Sequence, residues 1–390
     1  MEARKDRRMK MPPHVLSYVR RLGRLPAYVY DLPGLRAHAE AIRNALRAPS
    51  AAGGPELYYA AKANADAPIL RVLDPFVDGI EISSGGELVH VRRTLPHARL
   101  AFGGPGKTDQ ELRLALDLNV DRIHVESPHE LHRIAALDRP AGILLRANLP
   151  FATSGAALSM SGPFGMDEDA LETCAKLVSE RPWLRLHGIH AHLASGLHAP
   201  AMLDLASRIL DWALPWLRDR CGITEPEVNV GGGMAVDYTA PDTLFDWRSY
   251  AEGLASLTPP GVRLRIEPGR AVTAYHGWYV TDVLDVKNTR GDTYVVLRGG
   301  THHLRTPVTK GHDQPFVALS ATGAAADPTQ RATLVGQLCT PKDVFARDVP
   351  VPPLEPGDVV AFAMAGAYAW NISHHDFLMH PKPDFHYIDD

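Results

Sequence analysis

The stretch LYYAAKANAD, residues 57–66, decides how the rest of the chain is interpreted. Its apolar run Leu57–Ala61 predicts a buried strand, and Asp66 is a candidate N-cap for a helix that follows. Lys62 therefore stands where a strand ends. Desolvation in a lined pocket would disfavour its ammonium form, and a neutral amine can form an imine with an aldehyde. The alternative is an ordinary surface lysine at a strand end.

The strand and helix patterns around Lys62 repeat along most of the chain. Strands are predicted near Leu57–Ala61, Asp78–Ser83, Ala98–Phe102, Asp121–Val125, Gly142–Arg146, Leu184–His190, Glu227–Val230 and Val262–Ile266. Because parallel strands need crossover helices, eight such repeats predict an α/β fold with a (β/α)8 TIM-like barrel over residues 33–271. Such a barrel carries its active site at the carboxyl ends of the strands.

Two further segments flank the predicted barrel. Residues 1–32 form a basic, proline-punctuated N-terminal arm and a short strand, Ala27–Tyr30, before the amphipathic helix Leu32–Ala48. Residues 272–390 are rich in strand patterns and turn signals, and they predict a C-terminal β domain that the N-terminal strand joins. Its strands are expected at Val272–Val286, Asp292–Leu297, Pro315–Leu319 and Asp358–Ala363.

The composition is that of a globular protein with a large core: 390 residues, 45% hydrophobic and 22% charged. A formal net charge of -4 gives no basic field for nucleic acid. No apolar run of about 18 residues predicts a membrane span, and the charged N-terminus lacks a secretory signal. Three widely spaced cysteines argue against disulfides and zinc ribbons. We therefore expect a cytoplasmic protein that binds neither nucleic acid nor membrane.

Two turns follow late strands of the predicted barrel. Gly231, Gly232 and Gly233 follow an apolar run, and glycines let backbone amides approach a phosphate without obstruction by Cβ. Glu267 and Arg270 share the turn Glu-Pro-Gly-Arg after the eighth strand, which suits a protonated ring nitrogen and a phosphate held apart. A flexible turn and a plain salt-bridged turn are the alternatives.

The sixth predicted strand leads into His190-Ala191-His192-Leu193-Ala194-Ser195. Alternation places His190 and His192 on one face, and Ser195 follows as a hydrogen-bond donor. No carboxylate or cysteine stands at metal-ligand spacing beside them, so we predict no metal site. Stacking of His192 on an aromatic cofactor fits better, with Ser195 at a phosphate. Cys339 is a candidate acid, and a buried apolar cysteine is the alternative.

In that order, the lysine, histidine, glycine triplet, Glu-Arg turn and cysteine resemble the fold-type III pyridoxal-phosphate decarboxylases. These include diaminopimelate, ornithine and arginine decarboxylases, with alanine racemase as a more distant relative. The resemblance extends from Tyr28 to Phe377 and includes the weaker motifs Ser84-Gly85-Gly86-Glu87-Leu88, Val125-Glu126-Ser127, Phe164-Gly165-Met166 and Gly366-Ala367-Tyr368. It implies pyridoxal 5'-phosphate as cofactor and amino-acid decarboxylation as the activity.

The resemblance also implies a role for each site residue. Lys62 would bind the cofactor aldehyde, and His192 would stack on the ring. Glu267 would keep the pyridine nitrogen protonated, so that the ring accepts electrons when the carboxylate leaves. Arg146 would lie near the phenolic oxygen. The phosphate would contact Ser195, Gly231, Gly232, Gly233, Arg270 and Tyr368.

The family shares each active site between two subunits, so the resemblance implies a homodimer. The loop that carries Cys339 would serve the partner's site. There Cys339 would protonate the reacting carbon after carbon dioxide leaves, and Asp343 would line the same loop.

The substrate side departs from the diaminopimelate and ornithine enzymes. In those enzymes an acidic residue directly follows the cysteine and receives the distal ammonium of the substrate. Thr340 occupies that position here, and a neutral hydroxyl cannot compensate the desolvation of an ammonium. Donors that suit a polycarboxylate are His302, His303, Arg305 and His374. Metal binding and solvated tail histidines are the alternatives for this cluster. The departures resemble the siderophore-assembly branch typified by citryl-diaminopropionate decarboxylase, and they predict an L-amino acid with an acidic acyl group at its far end.

Other functions stay open. Arg305 would also serve the distal carboxylate of diaminopimelate, in lysine biosynthesis. A carrier-protein-linked glutamyl decarboxylase is a further alternative, whereas Glu267 at the ring nitrogen disfavours racemisation. A non-catalytic regulator with this fold would be expected to lose Lys62 or Cys339, and the chain retains both.

Overall fold

The computed structural model describes residues 10–49, 54–151, 155–160, 162–305, 311–320 and 328–389. Residues 1–9 of the expected N-terminal arm lie outside the described residues. The chain forms two compact units. The barrel unit comprises Arg36–Ala235 and Phe245–Val272, and the β unit comprises Met1–Leu35, Val236–Leu244 and Thr273–Asp390.

The barrel unit is built on a closed sheet. The strands up to residue 266 are β1 (Ala27–Asp31), β2 (Glu56–Ala60), β3 (Gly79–Ile82), β4 (Leu100–Phe102), β5 (Arg122–Val125), β6 (Ala141–Arg146), β7 (Leu158–Ser159), β8 (Leu184–His190), β9 (Ala194–Ser195), β10 (Glu227–Asn229) and β11 (Arg263–Ile266). The parallel barrel runs in the order β10, β11, β2, β3, β4, β5, β6 and β8, which confirms the predicted fold. The short strands β7 and β9 pair separately as an antiparallel ribbon.

The helices connect these strands. They are α1 (Pro13–Val19), α2 (Leu32–Arg47), α3 (Ala67–Leu73), α4 (Gly85–Thr94), α5 (Asp109–Asp117), α6 (Pro128–Ala135), α7 (Glu168–Ser179), α8 (Ala199–Cys221), α9 (Trp247–Leu257) and α10 (Arg270–Thr273). Side chains that accept a hydrogen bond from the first turn begin α4, α5, α6, α7 and α9: Ser84, Thr108, Ser127, Asp167 and Asp246. Asp66 occupies the N-cap position of α3 without a side-chain capping bond. In the described part of the chain, no helix combines the length and apolarity needed to cross a bilayer.

A buried ion network links four barrel strands. Arg265 on β11 and Glu227 on β10 are both 0% exposed, and Nη2 of the arginine lies 2.9 Å from Oε1 of the glutamate. Arg265 also pairs with Glu56 on β2 at 2.8 Å. The other oxygen of Glu227 accepts from Arg122 on β5 at 3.0 Å. Such pairing is required because an unpaired buried charge is costly to desolvate.

The β unit contains one mixed sheet. Its later strands are β12 (Gly277–Thr289), β13 (Asp292–Leu297), β14 (Phe316–Leu319), β15 (Gln330–Val335), β16 (Val344–Val351), β17 (Val359–Phe362) and β18 (Asp384–Ile388). They follow the order β14, β17, β12, β13, β15, β16, and β1 pairs antiparallel with β12 and parallel with β18. A hydrophobic core beneath the sheet includes Val15, Val29, Trp278, Val280 and Ile388.

Parts of the β unit differ from the expectation. The strand predicted over Val272–Val286 begins only at Gly277, because the preceding residues form α10 and the 3-10 turn Ala274–His276. Residues 236–244, expected within the barrel, group with the β unit, because Val236 and Tyr238 pack against its core. The sequence analysis also missed α1, β15, β16 and β18.

Candidate active site

Lys62 lies in the 3-10 turn Ala61–Ala63, directly after β2. Its Nζ donates to both carboxylate oxygens of Glu81 on β3, at 2.9 and 3.1 Å. Glu81 is 3% exposed and accepts a further bond from Ser83 Oγ at 3.0 Å, whereas the Lys62 side chain is 47% exposed. The amine is therefore accessible but held by a fixed carboxylate on the neighbouring strand. The sequence analysis had not singled out Glu81.

The glycine triplet and His192 lie against each other. The amide of Gly232 donates to His192 Nδ1 at 3.2 Å, and Ser195 Oγ lies 3.2 Å from Nε2 of the same ring. A Cβ at Gly231, where φ is +73°, would lie 2.6 Å from His192 Nδ1. A Cβ at Gly233, where φ is +99°, would lie 2.4 Å from a carbonyl oxygen of the β9 ribbon. Only glycines can line the backbone here.

His192 is a neutral imidazole in this setting. Burial, together with the cations Lys62 and Arg146, lowers its pKa to about 3. Because Nδ1 accepts from the Gly232 amide, the ring proton is assigned to Nε2, where Ser195 accepts it. A neutral, oriented ring of this kind can pack on an aromatic cofactor.

Glu267 follows β11 and is 7% exposed. Its Oε1 accepts from Asn229 Nδ2 at 2.7 Å. Oδ1 of the same Asn229 side chain accepts a hydrogen bond from the Gly231 backbone N–H at 2.9 Å. One side chain therefore joins the Glu267 carboxylate to the glycine turn. Asn229 is a positioning residue that the sequence analysis missed, although it occupies the last position of β10, two residues before Gly231.

Two histidines flank the Glu267 carboxylate. His190 Nε2 lies 3.4 Å from Oε2, and His124 Nε2 on β5 lies 3.7 Å from Oε1. The sequence analysis found no carboxylate at ligand spacing along the chain beside His190, and the fold supplies one from β11. The closed barrel brings together three groups that are far apart in sequence, and their ligand atoms all lie within 4.8 Å of one another.

Arg146 ends β6 in a second buried cluster. Its Nη1 donates to Glu126 at 2.5 Å, and its guanidinium lies 5.0 Å from the centroid of the Phe164 ring. Glu126 also accepts the Gly165 amide at 2.9 Å and the Gly104 amide at 3.1 Å. The arginine is thus rigidly oriented. Arg270, the other predicted cationic contact, is the first residue of α10.

The loop after β15 carries Cys339, whose side chain is exposed. Thr340 follows it and is half-buried. Asp343 is 2% exposed, and its two oxygens accept the backbone amides of Thr301 at 2.6 Å and Leu338 at 2.8 Å. The Asp343 carboxylate, predicted to line the cysteine loop and to contact the substrate, therefore ties two loops of the β unit together.

The predicted substrate histidines occupy different environments. His302 and His303 are 0% and 1% exposed, with ring centroids 3.9 Å apart, and His303 Nδ1 lies 3.0 Å from the Tyr279 hydroxyl. Burial lowers the pKa of His302 to about 4 and that of His303 to about 3. By contrast, Arg305 and His374 are exposed. Tyr368 is half-buried and adopts a φ of +49°.

Known proteins resemble this chain over nearly its whole length. The family model for the pyridoxal binding domain of pyridoxal-dependent decarboxylases matches residues 36–274. The 2-[(L-alanin-3-ylcarbamoyl)methyl]-2-hydroxybutanedioate decarboxylase of Staphylococcus aureus is 39% identical over 379 residues, 93% of each chain. The L-glutamyl-[BtrI acyl-carrier protein] decarboxylase of Niallia circulans is 28% identical over 380 residues, 92% of this chain and 87% of that relative. Diaminopimelate decarboxylase from Helicobacter pylori shares the fold, with a TM-score of 0.84 at 24% identity over 96% of this chain and 94% of that one.

The residues of the barrel unit fit pyridoxal phosphate. The cofactor needs an accessible amine for its aldehyde, which Lys62 offers, and a buried carboxylate for its ring nitrogen, which Glu267 offers. The amides of Gly231–Gly233 line a turn that any Cβ would obstruct. The sequence matches and the side chains of the site therefore indicate the same cofactor. The chain belongs to the family of pyridoxal-dependent decarboxylases and is an amino-acid decarboxylase that uses pyridoxal phosphate.

Proposed function

We propose that this enzyme removes the α-carboxylate from an L-amino acid whose far end carries an acidic acyl group, such as the siderophore precursor citryl-diaminopropionate. One observation carries the proposal, namely the 39% identity to the Staphylococcus aureus enzyme over 93% of both chains. The name of that relative's substrate describes a hydroxy-tricarboxylate joined through an amide to carbon 3 of alanine. That compound has an α-amino acid at one end and free carboxylates at the other.

The proposed work of the barrel residues follows from their geometry. When bound, pyridoxal phosphate supplies an aldehyde for the amine and an aromatic ring that accepts electrons from the breaking Cα–carboxylate bond. Lys62 would hold the aldehyde carbon. Glu267 would hold a proton at the ring nitrogen, because a buried carboxylate is stabilised by a cationic partner. The neutral ring of His192 would lie against one face.

The phosphate and phenolic ends have their own proposed partners. Ser195, whose hydroxyl bonds His192, would contact the phosphate, and the Gly231–Gly233 turn would let the phosphate approach the backbone without a Cβ in the way. Arg270 and Tyr368 would add a cation and a hydroxyl. Arg146, fixed by Glu126, would face the phenolic oxygen. A rigid set of donors holds the reacting bond in one orientation. Holding reacting groups in a fixed orientation increases the rate because less entropy is lost on reaching the transition state.

The acidic acyl group at the distal end of the substrate has its own proposed partners. Thr340 offers a hydroxyl, whereas the predicted contacts His302 and His303 are 0% and 1% exposed and are therefore no longer proposed to touch the substrate. The exposed guanidinium of Arg305 can pair bidentately with a carboxylate, and His374 is a second exposed donor. This set suits an acidic acyl group and leaves a second ammonium uncompensated. Asp343 would contribute by holding the cysteine loop in place.

We propose a homodimer in which Cys339 works in the partner's site. The Cys339 side chain is exposed in the single chain. A residue that acts in the active site of another subunit must be exposed before the two subunits associate. The β unit also exposes apolar side chains that a second copy could cover: Ile372 at 41%, Phe377 at 44%, Leu378 at 45% and Met379 at 90%. The Cys339 thiol would return a proton to the α-carbon after carbon dioxide leaves.

The substrate proposal is tested by carbon dioxide release. The holoenzyme should decarboxylate citryl-diaminopropionate far faster than meso-diaminopimelate or carrier-protein-bound glutamate, and the reverse order would overturn the proposal. Thr340→Glu should shift the ratio of kcat/KM values towards meso-diaminopimelate by about tenfold or more, because a carboxylate can receive its distal ammonium. Thr340→Gln, which adds similar bulk without charge, is the control and should not shift the ratio.

Shared active sites are tested by mixing two inactive variants. Lys62→Ala and Cys339→Ala, carrying different affinity tags, are produced together. Hybrid dimers then contain one intact site, so the mixture should recover about a quarter of the native activity. Mixtures that stay inactive, with hybrid dimers isolated through both tags, would exclude a Cys339 that acts across the interface.

A further inference from the structure

A stacked histidine pair lies inside the barrel beside Glu267. His124 and His190 are 0% and 4% exposed, and their rings lie 4.3 Å apart at an interplanar angle of 20°. None of the four ring nitrogens has a hydrogen-bond partner among the described residues. Buried polar atoms without partners are rare in folded proteins, and those that occur call for a specific explanation.

Both rings are held in place by the strands that carry them. His124 lies within β5, and its carbonyl oxygen accepts a bond from Lys107 Nζ at 2.8 Å. His190 is the last residue of β8, paired in register with Arg146 of β6. The side chains therefore cannot turn towards solvent. The nearest acceptor to each Nε2 is the Glu267 carboxylate, at 3.7 Å for His124 and 3.4 Å for His190.

Both imidazoles are neutral. Burial lowers the pKa of His124 and of His190 well below the usual value, and the cations Arg146, Lys62, Lys107 and Arg265 act in the same direction. The neighbouring His192 also lowers the pKa of His190, and Glu267 opposes the shift at His124. A neutral ring carries a single N–H, and with that proton on Nε2 each histidine can donate to one oxygen of Glu267.

We infer that His124 and His190 are positioning residues whose Nε2–H groups flank the two oxygens of the Glu267 carboxylate and orient it without neutralising it. The inference rests on the proposed contact between Glu267 and the cofactor ring nitrogen. Asn229 is the third neutral donor, at 2.7 Å from Oε1. Within the described residues no arginine or lysine forms an ion pair with Glu267.

The absence of a charged donor has a chemical consequence. An arginine at this carboxylate would compete with the cofactor for its negative charge. Three neutral donors fix the direction of the carboxylate and leave its charge to stabilise a protonated ring nitrogen. The N–H groups need to move only about half an ångström to reach hydrogen-bond distance.

The test measures where that proton lies, and it needs no substrate. The holoenzyme is reconstituted with pyridoxal phosphate labelled with nitrogen-15 in the ring, and the nitrogen chemical shift distinguishes a protonated from an unprotonated pyridine. Matched variants are His190→Leu, which removes the donor, and His190→Gln, which keeps one. The same pair at His124 provides a second, independent test if one site does not tolerate leucine. Absorbance of the bound cofactor and the unfolding temperature verify that each variant is folded and loaded.

We expect the leucine variants to move the ring signal towards the unprotonated position and to lower kcat by about tenfold or more with little change in KM. The glutamine variants should restore both. A protonated ring nitrogen in the folded, loaded leucine variants at both positions would overturn the inference while leaving the role of Glu267 intact. An unprotonated ring in the native enzyme would instead contradict the proposed contact of Glu267 itself.

Discussion

Gly232→Ala isolates the steric demand of the glycine turn. Gly232 has an ordinary negative-φ backbone, so alanine adds one methyl group without a conformational penalty of its own. That methyl would lie 2.1 Å from the Glu267 carbonyl oxygen and 2.9 Å from its carbonyl carbon. Real Cβ atoms essentially never lie within 3.0 Å of another heavy atom, so the contact with the carbonyl oxygen requires the Gly232 and Glu267 backbones to separate by about 1 Å.

Such a separation disturbs two contacts at once. It withdraws the Gly232 amide from His192 Nδ1, now at 3.2 Å, and displaces the residue that carries the Glu267 carboxylate. A misplacement of about 1 Å in a catalytic group can cost about 100-fold in rate, and we expect a loss of that order in kcat. Overpacking of this kind also costs about 1–3 kcal/mol of folding free energy.

The assay combines carbon dioxide release under saturating cofactor with the unfolding midpoint. Gly106→Ala is the matched control, because Gly106 lies in the same barrel unit and its Cβ would have no heavy atom within 4 Å. The control should keep native values. A folded Gly232→Ala enzyme with native kcat would refute the claim that the glycine backbone and Glu267 are held in contact for catalysis.

Three further predictions follow from buried charges and from the exposed cysteine. Arg265→Met should lower the free energy of unfolding by about 3–5 kcal/mol, because it leaves Oε1 of the buried Glu227 without its cationic partner while Arg122 still bonds Oε2, and Glu227→Gln in the same chain should recover part of the loss in a denaturant titration. As the pH falls from neutral, the unfolded chain binds protons that the buried His302 rejects, since its folded pKa is about 4. His302 alone should therefore lower the unfolding free energy by up to about 1.4 kcal/mol per pH unit between about pH 6.5 and its folded pKa, and His302→Asn should remove that share of the decline in the same titration. Cys339→Ser should bind pyridoxal phosphate with native absorbance yet lose at least about tenfold in kcat, because a hydroxyl is a far weaker acid than a thiol; unchanged turnover would count against Cys339 as the proton donor.

The barrel could be predicted because its strands carry their own signals. Runs such as Leu57–Ala61 are buried on both faces and are bounded by turn residues, so each parallel strand is visible locally. The last strands of the β unit lack that property. β15 and β16 are buried over only part of their length and carry polar side chains such as Gln330 and Arg331, and their strand character comes from pairing across the sheet.

The site was predictable where a motif is contiguous and not where the fold assembles it. Lys62 and the glycine triplet are local features, and both are placed at strand ends. The convergence of His124, His190 and Glu267 is not local, because β5, β8 and β11 come together only when the barrel closes. The spacing of these three residues along a single sequence does not indicate that they will lie close together in the fold.

The placement of β1 constrains the order of events on the ribosome. This early strand lies between β12 and β18, and its partner Asp384–Ile388 is synthesised long after it. Until those residues emerge, one edge of the aromatic segment AYVYD has no neighbour to accept its backbone hydrogen bonds. A chain truncated before residue 384 would keep that edge open, and we expect its failure to appear as insoluble protein rather than as a folded enzyme with reduced turnover.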